Sequence, residues 1–401
     1  MWQIWVGAGV AARTVACLTP ATFGMTGFHN MPREIRDFIL VEVEDTDLVA
    51  LGKAAKLTYA LAVTRLYRKI SMTDFGRVLL FLRTVKGSKT LAGLVLHLEL
   101  HWEPRPTEAL AKLATQLCNV LPKLSNLVHL TISTALEKFR WIYETLNLPS
   151  LREFHAFTPV NAQFLERHPN LRDVTIKELD THKSATVTAN LAEPRFLRLL
   201  EGKAEQLLNI CSDGKARPTL RRIDWTQNPW PPHFVYYGRP PPPIDYEAIH
   251  RIASHVTQVN YLQGFRYVVC PLVRPWPSVK RVGIRVPLWG FWPLTLDTAS
   301  RQLRDLANSF PNMATLDVIT ELTATPWGAD VDILEIWERM QKDLVVFERL
   351  TRVTLYGRCW TRQTPKTTFE ETACDLDDIP DLSIDFPLTH TAVAQLSHPD
   401  L

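Results

Sequence analysis

A short motif that returns along most of the chain constrains the fold more than any other feature of the sequence. Each copy follows a helical stretch and consists of a proline, a short polar gap and apolar residues at positions i, i+3 and i+5. Six copies have the proline and a seventh lacks it. The copies occupy residues 121–132, 148–157, 168–176, 217–225, 276–284, 310–318 and 347–355.

The spacing of the apolar residues predicts a short strand in every copy. Successive side chains of a strand point to opposite faces, so residues i+3 and i+5 face one side and the residue between them faces the other. The helical stretches between the strands are 108–121, 136–146, 161–168, 246–255, 299–310 and 333–347. A unit of one strand and one helix cannot bury its own apolar face and must stack on its neighbours. We therefore predict an irregular α/β solenoid of parallel strands and helices, with a generic α/β domain as the alternative.

The copies are unevenly spaced, which predicts further units with a weaker signal. The anchor residues Leu171, Leu220 and Val279 are separated by gaps of 49 and 59 residues. We expect one hidden unit in each gap, around 196–200 and 256–262, and an opening strand within 94–100.

The two ends of the chain differ from the middle and set the predicted domain boundaries. Residues 1–29 contain an apolar stretch of only nine residues, Ile4–Ala12, whereas a membrane span needs about 20. We interpret 1–29 as a poorly ordered extension, 30–72 as a helical module and 73–360 as the solenoid. No Lys or Arg follows Lys366 while eight acidic residues do, so residues 361–401 read as an acidic tail, either solvated or used for interaction.

Composition narrows the expected compartment and partners. The net charge of +3 is too balanced to predict a nucleic acid or an anionic membrane as partner. The six cysteines form no C-x-x-C pair and the chain has no N-x-S/T sequon. Both features fit a reducing compartment, so we expect a cytoplasmic or nuclear protein.

No residue pattern predicts catalysis, a cofactor or a metal. Gly7, Gly9 and Ala12 mimic a dinucleotide-binding turn, but the second strand and the acid that such a turn requires do not follow. His97, Glu99 and His101 alternate without the spacing of a zinc motif, and we interpret them as polar residues on an exposed concave face. An enzyme built on the tryptophans or on the Gly7 motif remains the third and least supported alternative.

Residues 31–70 read as three short helices. Pro32 suits the first helical turn because that position has no N–H to lose, and Ile35 and Ile39 follow at helical spacing. Residues 45–47 supply a cap for a second helix over 48–55, and a third helix is predicted over 57–67. Three helices this short bury too small an apolar core to be stable alone, so we expect them to pack against another part of the chain or against a partner protein.

This segment resembles an F-box, and the array behind it is similar to that of F-box/leucine-rich-repeat proteins, including many fungal ones. The resemblance lies in Met31-Pro32-x-x-Ile35-x-x-x-Ile39, Asp47-Leu48, Leu51, 54–56 and 66–70. It implies that the helices bind the Skp-type adaptor of an SCF (cullin–RING) ubiquitin ligase and that the repeats select a protein substrate. Carried over by position, the adaptor-binding residues are Pro32, Ile35, Ile39, Leu48, Leu51 and Leu57. In the alternative, the helices only cap the repeats of a non-ligase interaction scaffold.

Two groups of residues are candidates for binding the substrate. The basic pairs that end in Arg222 and Arg281 fall at matching positions of two units, where they either recognise an acidic partner or remain solvated. Aromatic residues cluster between 225 and 292, around a proline-rich insertion at 225–244, and either form a binding hot spot or fill the interior. The predicted substrate-binding residues are Arg222, Trp225, Trp230, Tyr236, Arg281 and Trp289.

Overall fold

The chain is a mixed α/β protein organised around one large open sheet, as a computed structural model describes it. The described residues are 32, 35, 39, 42–54, 56–102, 107–133, 141–157, 159–176, 179–180, 189–199, 204–225, 245–261, 275–286, 306–320, 337–338, 341–342, 344, 347–355, 358–364 and 368–373. Within these ranges, every helix is too short or too polar to span a bilayer. The predicted extension 1–29 lies outside the described residues.

Within the described residues thirteen strands form the sheet, and they follow one another in chain order. Neighbours are parallel from β1 to β13, and β14 and β15 are added antiparallel at the end. A separate two-stranded sheet pairs β5 with β7. The strands are β1 Lys69–Met72, β2 His97–Leu100, β3 His129–Ile132, β4 Glu153–Ala156, β5 Val160–Asn161, β6 Asp173–Ile176, β7 Leu179–Asp180, β8 Phe196–Leu199, β9 Arg222–Trp225, β10 Gln258–Tyr261, β11 Arg281–Val286, β12 Thr315–Thr320, β13 Arg352–Leu355, β14 Arg358–Thr361 and β15 Glu370–Thr372.

Helices connect most of the strands. They are α1 Asp45–Ala54, α2 Lys56–Arg68, α3 Phe75–Lys86, α4 Lys89–Leu94, α5 Thr107–Val120, α6 Trp141–Thr145, α7 Ala162–Arg167, α8 Ala204–Ile210 and α9 Tyr246–Ile252, with a 3-10 turn at Leu121–Lys123. Four of these described helices begin at side-chain caps, as where Asp74 accepts a bond from the amide of Arg77 and Asn161 accepts one from the amide of Gln163. Such caps satisfy amides that the first turn leaves without a helical partner.

The apolar residues of the motif form the core. In all seven copies the residues at i, i+3 and i+5 are at most 1% exposed. They lie side by side across the sheet, as in the register Leu130–Phe154–Val174. Burying this row from strand to strand supplies the hydrophobic free energy that a single unit could not obtain.

The proline of the motif has a defined place in the backbone. In five copies it follows a residue whose carbonyl accepts the amide of the apolar anchor, as in the bonds from Leu151 to Leu148 and from Leu171 to His168. Proline thus occupies the second position of a tight turn, where its fixed φ is favourable. The turn then joins the preceding unit, because the amides of Arg152 and Glu153 both donate to the carbonyl of Val128.

Most predicted elements are confirmed. The two hidden units are β8 and β10, and the predicted helices over 48–55, 57–67, 108–121, 161–168 and 246–255 correspond to α1, α2, α5, α7 and α9. The helices predicted over 136–146, 299–310 and 333–347 are described only in part. The parallel arrangement of the strands is confirmed as well.

The structure also contains elements that the sequence interpretation missed. Strand β1 precedes the predicted opening strand, lies inside the range 30–72 and pairs with β2. At the other end, β15 lies inside the predicted acidic tail, and its residues Glu370 and Glu371 are exposed. Helices α3, α4 and α8 were not predicted either.

Candidate interaction surface

Each parallel strand of the sheet turns two side chains away from the apolar core, and together these side chains make a polar face. The first row of the face contains Lys69, His97, His129, Glu153, Asp173, Phe196, Arg222, Gln258, Arg281, Thr315 and Arg352. The second row contains Ser71, Glu99, Thr131, His155, Thr175, Arg198, Asp224, Asn260, Gly283, Asp317 and Thr354. We call the part on β2–β6 the histidine half and the part on β8–β13 the arginine half.

Stacked imidazole rings and carboxylates make up the histidine half. The ring centroids of His97 and His129 lie 5.6 Å apart, and those of His129 and His155 lie 5.2 Å apart. His129 Nδ1 lies 2.9 Å from Glu153 Oε2, and its Nε2 lies 2.9 Å from the Thr131 hydroxyl. His129 Nε2 is also 3.8 Å from Glu99 Oε1. Neighbouring strands lie about 4.8 Å apart, so the rings of the register partners His97 and His129 stack, and the ring of His155, which is diagonal to His129, meets it tilted.

Two of these histidines have a lowered pKa. Burial, together with the nearby His129 and Arg198, lowers the pKa of His155 to about 4, so this imidazole is neutral at pH 7. Burial, followed by the proximity of His129, also lowers the pKa of His97. Neutral His155 still bonds through Nδ1 to the Thr175 hydroxyl at 2.9 Å.

The arginine half is organised by fully buried carboxylates. Asp224 accepts bonds from Arg198 Nε at 3.0 Å, from Arg222 Nε at 2.8 Å and Nη2 at 2.9 Å, and from Asn260 Nδ2 at 2.7 Å. Both guanidinium groups lie over the ring of Phe196, at 5.4 and 4.9 Å from its centroid. A second carboxylate, on Asp317, accepts from Arg281 Nε at 2.7 Å. A buried charge requires such partners, because desolvation is otherwise costly.

The last strands of the arginine half contain buried polar atoms without a hydrogen bond. Asp317 and Thr354 are register partners on β12 and β13, and both are fully buried. Asp317 Oδ1 and Thr354 Oγ1 have no hydrogen-bond partner. Such atoms raise the free energy of the folded state, because they gave up their bonds to water.

The expected exposure of the polar face is therefore wrong for several residues of the second row. Asp224, Asn260 and Asp317 are 0% exposed, and Thr175 is 1% exposed. In the first row Arg222 and Arg281 keep 24% and 27% of their side-chain surface exposed. Asp224, Asn260 and Thr175 are buried while they bond to side chains of neighbouring strands. Glu99 of the same row keeps 24% of its side-chain surface exposed.

The predicted substrate-binding residues have divided outcomes. Arg222 and Arg281 lie in the first row of the polar face, as ligands of the two buried carboxylates. Trp225 is only 1% exposed and occupies the i+5 position of its unit, so it belongs to the core and its assignment to the binding surface is wrong. Trp230, Tyr236 and Trp289 lie outside the described residues. His97 and Glu99 lie on the polar face, as their alternation on a strand predicted.

The residues carried over from the F-box resemblance also differ in exposure. Pro32 and Ile35 are exposed, Ile35 by 49%, while Ile39 and Leu51 are half-buried. Leu48 is fully buried within the chain, so its side chain offers no surface to a partner in this arrangement. The side chain of Leu57 is outside the described residues.

Several residues of the polar face were not singled out by the sequence interpretation: His129, His155, Arg198, Asp224 and Asn260. Their signal was their place in the motif, because each stands beside the buried i+3 and i+5 residues of its unit. Within the described ranges, no three His, Cys, Asp or Glu side chains are arranged to hold a metal ion. No protein-family model matches the chain, and a search of curated proteins finds no match.

Proposed function

We propose that the protein is a non-catalytic substrate-recognition adaptor of an SCF-type cullin–RING ubiquitin ligase. In this proposal the N-terminal helices act as an F-box that binds the Skp-type adaptor. The following strands and helices act as a leucine-rich-repeat-like solenoid, whose polar face binds a protein substrate in the cytoplasm or nucleus. The observation that carries the proposal is the order of the strands, which succeed one another along one open sheet and turn a polar row to one side.

Strand order supports the solenoid because it places every unit beside the units that precede and follow it in the chain. Ten successive parallel pairings, from β1–β2 to β12–β13, follow this rule. Stacks of this kind expose long faces that are suited to binding other proteins. The polar face carries both signs of charge at fixed positions, which favours partner selection.

Exposed apolar side chains support a docking role for the N-terminal helices. Ile35 is 49% exposed, and Tyr59 on α2 is 42% exposed. Both lie ahead of the sheet in the chain, in the segment that resembles an F-box. These two side chains leave apolar surface available to a partner of the helices.

A binding assay with matched variants tests the adaptor role. The full chain is mixed with purified Skp-type adaptor, and binding is compared for the wild type, Ile35→Asp and Leu80→Asp. Leu80 lies on α3 and is 40% exposed, so it is the matched control. We expect the wild type and Leu80→Asp to bind equally, and Ile35→Asp to bind at least about tenfold more weakly, because a charge would enter an apolar interface.

The ligase proposal is contradicted if the Skp-type adaptor does not bind the wild-type chain. It is also contradicted if the adaptor binds Ile35→Asp as tightly as it binds Leu80→Asp. Circular dichroism of each variant must match the wild type, so that lost binding is not lost folding.

A second candidate is a repeat scaffold in which the helices serve only as a cap. Two observations favour it: Leu48 is fully buried, and α2 runs into β1 without a linker and packs against α4. A cap of this kind covers the apolar end of an array. The scaffold becomes the better account if the wild-type chain is folded and does not bind the Skp-type adaptor.

A further inference from the structure

A shallow cavity lies where the histidine half of the polar face meets the arginine half. Its volume is about 270 Å³. Four of its lining residues are register neighbours in the second row, namely Thr131, His155, Thr175 and Arg198. The other lining residues are His101, Phe157, Phe196 and Arg222. Small-molecule sites usually enclose roughly 300–1,000 Å³, so this cavity is better suited to one chemical group than to a whole cofactor.

The two arginines of the cavity are fixed in place before any ligand arrives. Asp224 accepts bonds from both guanidinium groups, and the ring of Phe196 packs against both. A guanidinium group that is already oriented loses little conformational entropy when it binds an anion. Asp224 therefore positions the two cations toward the cavity.

The rest of the lining supplies polar groups without adding negative charge. The Thr175 hydroxyl and the neutral imidazole of His155 lie beside Arg198 in the second row. Among the described residues that line the cavity, the charged groups are the two guanidinium groups, and none is a carboxylate. The nearest carboxylate of the row, on Asp224, is fully buried behind them.

We infer that this cavity binds an anionic oxygen group, a phosphate or a carboxylate, on a side chain of the protein partner. A guanidinium group has five N–H donors, of which Asp224 accepts one from Arg198 and two from Arg222, and guanidinium groups donate charge-assisted bonds to both anions. The Thr175 hydroxyl lines the same cavity and donates a further bond in the tautomer in which His155 carries its proton on Nδ1. The inference deepens the proposed function by naming the substrate class, an acidic or phosphorylated peptide segment. The identification of a peptide as the ligand rests on the proposed function.

Inorganic phosphate is the first probe, used on the full-length chain. Thermal unfolding is followed in phosphate and in chloride at equal ionic strength, for the wild type, Arg222→Gln and Arg221→Gln. Arg221 is the matched control: it is the adjacent residue, it is exposed, and it bonds to the His255 carbonyl instead of to Asp224. We expect phosphate to raise the Tm of the wild type and of Arg221→Gln by at least about 1 °C, and to leave that of Arg222→Gln unchanged.

Further variants keep the test decisive if Arg222→Gln does not fold. Thr175→Val removes one hydrogen-bond donor and is expected to weaken phosphate binding severalfold. Arg222→Lys keeps the charge but loses the forked geometry, and we expect its phosphate affinity to lie between those of the wild type and Thr175→Val. The inference is overturned if phosphate does not stabilise the wild type, or if it stabilises Arg222→Gln or Thr175→Val as much as the wild type.

A peptide library identifies the source of the anion. Three degenerate libraries carry phosphothreonine, glutamate or threonine at one fixed position, and their binding to the wild type and to Arg222→Gln is compared. Preference for phosphothreonine or glutamate over threonine, lost in Arg222→Gln, supports a protein-borne anion and tells the two chemistries apart. Equal binding of all three libraries rejects the peptide substrate. The phosphate result is independent of the adaptor-binding assay, so either conclusion can fail alone.

Discussion

The two halves of the polar face share one backbone geometry but hold their charges differently. In the histidine half the carboxylates remain partly exposed, and Glu153 keeps 33% of its side-chain surface while it bonds to His129. In the arginine half the carboxylates of Asp224 and Asp317 are completely buried under arginines. His155 takes up a proton only in acid, at a pKa of about 4, whereas arginine stays charged. The comparison teaches that one face combines a titratable region with a region whose charge is permanent.

The strongest test of this difference is removal of a carboxylate from each half. Asp224→Ala leaves Arg198 and Arg222 without the carboxylate that they share, and we expect it to lower the free energy of unfolding by about 3–5 kcal/mol. Asp173→Ala is the matched change in the histidine half, where the partner Arg195 is 51% exposed, and we expect it to cost at most about 1 kcal/mol. Urea unfolding measures both, and equal losses would contradict the distinction between the halves.

The second test uses the pH dependence of stability. Well above pH 6.5 His155 is neutral in the folded and in the unfolded chain. Below pH 6.5 the unfolded chain binds a proton at this side chain, whereas the folded chain binds it only near its pKa of about 4. The free energy of unfolding therefore falls as the pH drops through this window, by about 2 kcal/mol between pH 7 and pH 5 for this one group. Over the same pH interval we expect the free energy of unfolding of His155→Gln to fall by about 2 kcal/mol less than that of the wild type.

The control for the pH experiment comes from the arginine half. Thr354→Val lies far along the sheet from His155 and carries no titratable group, so it should keep the wild-type dependence on pH. If His155→Gln and Thr354→Val follow the same curve, the histidine half is not the pH-sensitive region.

The smallest expected effect compares two threonines of the second row. Thr175 bonds to His155, whereas the Thr354 hydroxyl is buried without a hydrogen bond. We expect Thr175→Val to lower the free energy of unfolding by about 1 kcal/mol and Thr354→Val to leave it unchanged or to raise it by a few tenths of a kcal/mol. Urea unfolding of both variants decides this, and the expectation fails if Thr354→Val is the more destabilising change.

The strands were predictable because the core requires a repeating pattern. Leu197 and Leu199 of β8 were found from a gap in that pattern, and both are fully buried. Helix α3 was missed although Val78, Phe81, Leu82 and Val85 show helical spacing and are buried. That segment lies between the residues of the motif and those of the F-box resemblance, so neither pattern predicts it.

The polar site was less predictable because it depends on register. Arg198 and Asp224 are 26 residues apart, and they meet because β8 and β9 pair at that alignment. Trp225 shows the opposite error. It was assigned to binding because it begins an aromatic cluster, although its i+5 position already predicted burial. The position within the unit was more informative than the type of residue.

The agreement between strand order and chain order has a consequence for synthesis. Register partners on the parallel strands of the large sheet are separated by 20 residues at the closest, as for Phe154 and Val174, and by 37 at the farthest, as for Leu316 and Val353. A chain that emerges from the ribosome can therefore add each strand to a partner that is already present. Assembly of the sheet can keep pace with translation, since no early strand waits for a late one.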